Sequence, residues 1–147
     1  MSDTTSYFTP DTAASQSTIP CTWLELNVDS PPFEVLPGLQ FQPILGQSLA
    51  VNLVRFEPNT VAPLHSHEEE QISLILEGEL EFEVNGETRL LGPNTAVVIP
   101  PNAPHAARTH DQRCLALDTF HPPRTGLAEM MRAAQTKTGG RPGESGS

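Results

Sequence analysis

The sequence has few basic residues, few cysteines and no long apolar segment. Its 147 residues include eight Lys plus Arg against 18 Asp plus Glu, which gives a formal net charge of -10. Nucleic acids and anionic membranes bind through basic patches, and these scattered cations do not supply one. We therefore expect neither as a partner. An anionic small-molecule substrate would have to be held by a few well-placed arginines.

The two cysteines, Cys21 and Cys114, are far apart and in no CxxC pattern. The sequence therefore predicts neither a disulfide framework nor a cysteine zinc site, and small buried apolar residues are the expected role. The N-terminus lacks a basic segment followed by an apolar one. No apolar run approaches the roughly 18 residues of a membrane-spanning helix. A reducing cytoplasm is the expected location.

The chain length allows one domain with a hydrophobic core. Residues 1–18 and 136–147 are polar and poor in apolar side chains. Such segments cannot offset their own ordering entropy, so we expect a flexible N-terminal arm, a single domain over residues 19–135 and a flexible C-terminal tail. Long helical periodicity is absent. Residues 126–135, with an apolar stripe, form the one predicted helix.

Short apolar stretches follow one another between Pro, Gly and Asn, which is typical of a sandwich or barrel. Residues 79–84 alternate acidic and apolar, and Asn85-Gly86 then supplies the positive φ values of a tight type I′ hairpin. Residues 23–28 alternate in part and predict a first edge strand. Further strands are predicted at residues 39–45, 49–56, 71–76, 87–91, 95–99 and 113–120.

Three histidines and a glutamine suggest a metal site. His65 and His67 are spaced i, i+2, so they share a face only on an extended strand. Gln71 would lie on the same face of a continuing strand, and His105 follows a Pro-rich turn far along the chain. Three imidazole nitrogens and one oxygen can hold one divalent transition metal. This donor set does not choose among Zn, Ni, Mn, Fe and Co.

A second group of candidates closes the last predicted strand. Asp118 and Phe120 share parity, so both can face one cavity, and Arg124 follows a rigid Pro-Pro pair. A guanidinium binds a carboxylate bidentately, and a carboxylate can move a proton. We predict Asp118 and Arg124 as catalytic residues, with Phe120 and Arg124 binding substrate. The alternative is an Asp118–Arg124 ion pair that ties the C-terminal segment to the barrel.

Three other polar residues are less clear. Arg55 is in phase with Val51 and Leu53. It is either a second substrate-binding anion contact or the salt-bridge partner of a neighbour. His110 and His121 are expected to be solvated.

Two motifs resemble those of the cupin superfamily. The first comprises His65-x-His67, Gln71 and Gly78, and the second runs from Gly92 to Pro100 and continues through Asn102 and His105. The resemblance covers roughly residues 34–121. It implies an all-β, cupin-type jelly-roll β-barrel with a metal inside, here with one short C-terminal helix. Asn59 and Asn102 stand where the family usually has glycine, which Asn tolerates because it visits the left-handed region readily.

The fourth ligand position also departs from the common pattern, which has glutamate where this chain has Gln71. An amide leaves the site charge at +2 around a divalent ion, whereas a carboxylate would lower it to +1. The amide therefore disfavours a higher oxidation state and favours a Lewis-acid role. The alternative is that Glu69 or Glu70 is the ligand instead.

Residues 118–124, Asp-Thr-Phe-His-Pro-Pro-Arg, resemble the ending of small single-domain cupins related to the pectin-degradation protein that linearises 4,5-unsaturated uronates. That resemblance implies conversion of a cyclic unsaturated monouronate to its open-chain ketone form. It also implies Gln as fourth ligand and a homodimer with strand exchange. Two alternatives stay open: a metal-dependent dioxygenase using the same histidines, and a non-catalytic small-molecule-binding cupin.

Overall fold

The fold is an all-β barrel closed by one C-terminal helix. A computed structural model describes residues 4–8 and 18–139. The strands are β1 (Phe33–Leu36), β2 (Leu39–Leu45), β3 (Ala50–Phe56), β4 (Val61–His65), β5 (Glu70–Gly78), β6 (Leu80–Val84), β7 (Glu87–Leu91), β8 (Ala96–Ile99), β9 (His105–Arg108) and β10 (Cys114–His121). The helices are α1 (Leu26–Asp29) and α2 (Leu127–Gly139), and Thr4–Phe8 forms a short 3-10 helix.

The strands form two antiparallel sheets that face each other. The six-stranded sheet has the order β1-β2-β3-β10-β5-β8, and the four-stranded sheet has the order β4-β9-β6-β7. Val54 and Ile75 of the large sheet meet Leu80 and Phe82 of the small sheet in one buried core. The predicted jelly roll with one short C-terminal helix is therefore confirmed.

The hairpin between β6 and β7 forms as the alternation predicts. Asn85 has φ 51° and Gly86 has φ 82°, the two positive values of a type I′ turn. Asn59 and Asn102 adopt φ of 55° and 66°, so asparagine does occupy the left-handed positions. Gly78 has no such substitute, because a Cβ there would lie 1.9 Å from the Arg113 carbonyl oxygen.

Residues 23–28 do not form the predicted edge strand. Residues 26–29 instead make one helical turn, in which the backbone N–H of Glu25 donates to the Asp29 carboxylate at 2.7 Å. This local hydrogen bond competes with strand pairing, and no neighbouring strand takes up the segment. The edge strands of the large sheet are β1 and β8. The sequence did not predict β1, β4 or β9.

The helix near the C-terminus is longer than predicted. It runs past residue 135 to Gly139, and its first residue, Leu127, is buried with Ala50 and Phe120. The domain limits at residues 18 and 135 stay a prediction, since residues 1–3, 9–17 and 140–147 lie outside the described part of the chain. No helix among the described residues is long and apolar enough to span a membrane.

Candidate metal centre

Strand pairing brings the three histidines together at one end of the barrel. β4 and β9 are antiparallel neighbours in which His65 is the direct partner of His105, and His67 follows β4 by two residues. The ring centroid of His105 lies 4.2 Å from that of His65 and 4.9 Å from that of His67. One nitrogen of each ring lies within 4.8 Å of the others, a spacing that a single metal ion can bridge.

Hydrogen bonds to the backbone set the tautomer of all three rings. Nδ1 of His65 lies 2.7 Å from the Pro63 carbonyl oxygen, that of His67 lies 3.0 Å from the Glu69 oxygen, and that of His105 lies 2.8 Å from the Ala103 oxygen. A carbonyl only accepts, so each Nδ1 carries the proton and each Nε2 keeps its lone pair. Second contacts of this kind commonly orient metal-ligating histidines.

The Nε2 atom of His105 has no hydrogen-bond partner, and it is the one such buried side-chain nitrogen or oxygen in the described residues. An unpaired buried lone pair is costly, and a cation bound to it would remove that cost. The pKa of His105 is lowered to about 4, chiefly by burial. The hydrogen bond to the Ala103 carbonyl raises this pKa, whereas the positive charges of His65, His67 and Arg124 lower it further. The imidazole is therefore neutral at physiological pH, as a metal ligand must be.

Gln71 supplies the oxygen nearest the histidines. It is buried on β5, and its Oε1 lies 3.1 Å from Nε2 of His67. The other candidates for fourth ligand point elsewhere: Glu70 is exposed, and Glu69 places Oε1 3.4 Å from the opposite nitrogen of His67, Nδ1. The geometry therefore favours Gln71 over either glutamate.

Asp118 lines the same interior cavity as His65, His105 and Gln71. On β10 it is the direct partner of Ser73 on β5 and of Asn52 on β3. The Ser73 hydroxyl donates to Oδ1 of Asp118 at 2.7 Å and accepts from Nε2 of Gln71 at 2.9 Å. Sequence analysis missed Ser73, although its spacing of two from Gln71 on a strand already placed both on one face.

Burial raises the pKa of Asp118 to about 6, against the opposing effects of the Ser73 hydrogen bond and the Arg124 charge. This value lies close enough to neutrality for the carboxyl group to take up and release a proton under ordinary conditions. A raised pKa of this kind is what proton transfer by Asp118 would use, and that role stays a prediction.

Arg124 and Phe120 also line this cavity. No ion pair joins Arg124 to Asp118 within residues 18–139, so the predicted structural alternative of a direct clasp is absent there. The segment after β10 is held instead by Thr125, whose backbone N–H lies 3.4 Å from the Glu69 carboxylate. Phe120 packs edge-on against His67 with centroids 5.8 Å apart.

The structure does not bring Arg55 into the site. Its guanidinium donates to Gln42 at 2.8 Å, on the face of β3 opposite the cavity-lining Asn52 and Val54. This placement disfavours the predicted substrate contact, because an outward-facing side chain cannot reach the interior. His121 is exposed, and His110 is an exposed residue that pairs with Glu81 at 3.1 Å.

The rest of the cavity is largely apolar. Besides the polar groups above, its lining includes Leu39, Phe41, Phe56, Ala62, Leu80, Phe82, Ala106, Ala107, Ala116 and Leu127. A few convergent polar groups on an apolar wall are typical of a small-molecule site.

Comparison with known proteins agrees with this fold and site. The cupin domain family matches residues 52–120. The structure of KdgF from Halomonas sp. is 32% identical, with a TM-score of 0.62 over 65% of this chain and 91% of that one. An RmlC-like cupin from Shewanella frigidimarina NCIMB 400 shares the fold, with 22% identity and a TM-score of 0.67 over 73% of this chain and 96% of that one.

Among curated relatives, the dimethylsulfoniopropionate lyase DddQ of Ruegeria pomeroyi is 41% identical over 76 residues, 51% of this chain. The match covers 38% of that relative, so the chain spans well under half its length. Together with the two-sheet barrel and its histidine cluster, these findings define the class. The chain belongs to the cupin superfamily and resembles KdgF.

Proposed function

We propose that this protein is a metal-dependent cupin enzyme that converts a cyclic 4,5-unsaturated uronate to its open-chain ketone form. The observation that carries the proposal is that Asp118 and Arg124 line one cavity with His65 and His105, two members of the three-histidine cluster. A proton-transfer group, a carboxylate-binding group and a candidate metal site are thereby within reach of one small molecule.

His65, His67, His105 and Gln71 would hold one divalent transition metal. The three unprotonated Nε2 atoms and the amide oxygen are neutral donors, which suits a non-redox ion whose full charge is retained. When bound, such an ion acts as a Lewis acid that polarises a substrate oxygen. The donor set leaves Zn, Ni, Mn, Fe and Co as candidates.

The reaction itself is an isomerisation and needs no oxidant. The anomeric hydroxyl loses its proton, the bond from C1 to the ring oxygen breaks, and C1 becomes an aldehyde. The ring oxygen stays on C5 as an enolate, and a proton delivered to C4 turns that enolate into the C5 ketone. One proton leaves an oxygen and one arrives at carbon, so a single carboxyl group can serve both steps. Asp118, with a pKa of about 6, is the group we assign to both.

Arg124 is assigned to the uronate carboxylate. Its partly buried guanidinium faces the cavity, where removal from water strengthens its attraction for an anion. Two carboxylates, those of Glu69 and Asp118, lie near enough to stabilise its positive charge. Neither carboxylate forms an ion pair with Arg124 among the described residues, so the N–H groups of its guanidinium can bind a ligand carboxylate.

The relatives support two related chemistries. KdgF, to which this chain is similar, is the pectin-degradation protein that linearises uronates. The identity to a dimethylsulfoniopropionate lyase favours a second candidate, elimination from a small carboxylate. There Asp118 would take a proton from the carbon next to a carboxylate held by Arg124, a double bond would form, and the carbon–sulfur bond would break to release dimethyl sulfide.

The test begins with metal analysis of the purified protein. The metal-loaded protein is then incubated without oxygen with the unsaturated monouronates released from pectin and alginate. We expect loss of the ultraviolet absorbance of the ring double bond and a ketone signal in the NMR spectrum. Dimethyl sulfide released from dimethylsulfoniopropionate would favour the lyase instead. Turnover that requires oxygen would favour a dioxygenase, and binding without product a non-catalytic cupin.

Replacing Arg124 by Lys should raise KM for the uronate roughly 10- to 100-fold, because the charge remains but one bond of the bidentate pair is lost. Thermal stability should stay nearly constant, because lysine keeps the positive charge and Arg124 forms no ion pair among the described residues that the change could break. The matched control is Arg55→Lys, outside the cavity, which should leave KM unchanged. An equal KM in both variants would contradict the assignment of Arg124.

We also propose that two copies of the chain form a homodimer. On the outer face of the large sheet, Ile72 and the edge-strand residue Val98 are direct partners and both are exposed. Trp23 and Val28 of the N-terminal segment are 88% and 75% exposed. A two-fold arrangement would let each chain cover the edge of the other with the same pair of surfaces. The predicted cytoplasmic location stays a prediction.

Sedimentation at micromolar concentration should therefore give the mass of a dimer. Val98→Glu should shift the protein to monomer, because it places a charge in the apolar contact. The control, Leu90→Glu, alters an equally exposed apolar residue on β7 of the other sheet and should leave the dimer intact. A wild-type monomer would rule out the proposed assembly.

A further inference from the structure

We propose that Ser73 is a positioning residue that couples the metal ligand Gln71 to Asp118, and that this coupling requires an amide, not a carboxylate, at position 71. The inference rests on the proposed function for the catalytic role of Asp118. Its tests use metal affinity and carboxyl protonation, so it can fail or succeed independently of the substrate.

Three side chains from two neighbouring strands form one continuous hydrogen-bonded chain. The Ser73 side chain is fully buried and lies between Nε2 of Gln71, at 2.9 Å, and Oδ1 of Asp118, at 2.7 Å. At the other end of the same amide, Oε1 of Gln71 lies 3.1 Å from Nε2 of His67. The hydrogen-bonded chain therefore runs from Gln71 through Ser73 to Asp118, and the amide oxygen at its far end faces the unprotonated Nε2 of His67.

The direction of each bond in this chain follows from the chemistry of the groups. An ionised carboxylate only accepts, so the single hydroxyl hydrogen of Ser73 must point to Asp118. The Ser73 oxygen then accepts from an amide N–H of Gln71. That bond turns the amide so that its oxygen, and not its nitrogen, faces the histidines. Ser73 thus fixes which end of Gln71 is offered to a metal.

A glutamate at position 71 would break this arrangement. Its carboxylate has no hydrogen to give to Ser73, so two carboxylates would compete for one hydroxyl proton. Either Asp118 or the new side chain would then be left without its donor. The amide is the side chain of this size that can offer an oxygen to the metal and a hydrogen to Ser73 at the same time.

The same hydrogen bonds give the two oxygens of the Asp118 carboxylate different roles. Oδ1 is engaged by Ser73, which leaves Oδ2 as the oxygen that exchanges protons with substrate. Other titratable groups lie near it: Arg124 after β10 lowers its pKa, Cys114 on the same strand has its own pKa raised by burial and then by Asp118, and His65 and His105 line the same cavity. Ser73→Ala leaves these groups in place, so a change in the protonation of Asp118 in that variant reports on the hydrogen-bonded chain.

The test compares Ser73→Ala, Ser73→Thr and Gln71→Glu with the double variant Gln71→Glu/Ser73→Ala. Zinc affinity is measured by competition with a chelating dye. The pKa of Asp118 is measured by carboxyl NMR in the metal-free protein, with the signal assigned by its loss in Asp118→Asn. Ile75→Val is the matched control, since Ile75 is buried on the same face of β5 but forms no polar link.

In Ser73→Ala we expect zinc affinity to fall about 10- to 100-fold, the usual effect of removing a partner that orients a metal ligand. The pKa of Asp118 should rise by about one unit, because the charged form loses a donor. Ser73→Thr, which keeps the hydroxyl, should restore both values if it folds. Ile75→Val should change neither. Zinc affinity and Asp118 pKa equal to wild type in Ser73→Ala would overturn the proposal.

The double variant separates the hydrogen-bonded chain from simple charge repulsion. Gln71→Glu raises the Asp118 pKa by adding a nearby negative charge in any case. If Ser73 links Gln71 to Asp118, either single substitution already breaks the hydrogen-bonded chain. The increase in the Asp118 pKa in the double variant should then be smaller than the sum of the increases in the two single variants. Additive rises would show that Gln71 and Asp118 act independently and would also overturn the coupling.

Discussion

Replacing His105 by alanine should abolish stoichiometric metal binding while leaving a folded barrel. Its Nε2 is buried without a partner beside the other two histidines, so the loss removes one of three converging lone pairs. The barrel should persist because the main core, around Val54, Ile75 and Leu80, is built from apolar packing between the two sheets.

Metal content after dialysis, measured by mass spectrometry, gives the stoichiometry, and circular dichroism reports the fold. His110→Ala is the control, because that histidine is exposed and pairs only with Glu81 among the described residues. It should keep a full equivalent of metal. If His105→Ala also did so, the three-histidine site would be wrong.

Replacing Asp118 by asparagine should lower turnover by roughly two to four orders of magnitude, the usual contribution of a positioned acid or base. Metal binding should persist, because Asp118 is linked to Gln71 only through Ser73. Single-turnover kinetics on metal-loaded protein separate this loss from any change in substrate affinity. Retained activity per folded molecule would show a structural role.

The same substitution should change stability in a pH-dependent way. The pKa of Asp118 is raised from 3.8 to about 6 in the folded protein, so folding favours the protonated form. The stability that this proton provides is present at low pH and is lost as pH rises through 6. Asparagine cannot ionise. Metal-free Asp118→Asn should therefore unfold at a higher temperature than wild type above pH 6 and at a similar temperature below pH 4.

The sequence predicts best where local pattern and tertiary environment agree. The alternation of β6 and the Asn85-Gly86 turn are local signals, and both match the structure. The four-residue β9 and the proline-containing β4 carry little signal of their own. They exist because each pairs with the other across about forty residues of sequence. That pairing, and with it the approach of His65 to His105, depends on long-range contacts that periodicity does not encode.

The site residues also divide into those that local spacing predicts and those that depend on long-range contacts. The spacing of His65 and His67 pointed to a shared site, but the predicted continuous strand from them to Gln71 is wrong, because β4 ends at His65 and Gln71 lies on β5 of the other sheet. Ser73 was missed because a buried serine on a strand resembles an ordinary small core residue until its neighbour across the sheet is known. Arg55 was proposed for the cavity because sequence phase alone does not say which face of β3 turns inward.

The histidine cluster joins parts of the molecule that are otherwise separate layers. His65 and His105 belong to the four-stranded sheet, whereas Gln71 and Asp118 belong to the six-stranded sheet. A metal ion held by His65, His105 and Gln71 would therefore link the two sheets directly. Separation of the two sheets, and with it the release of a small molecule bound between them, would then depend on whether the metal ion is bound.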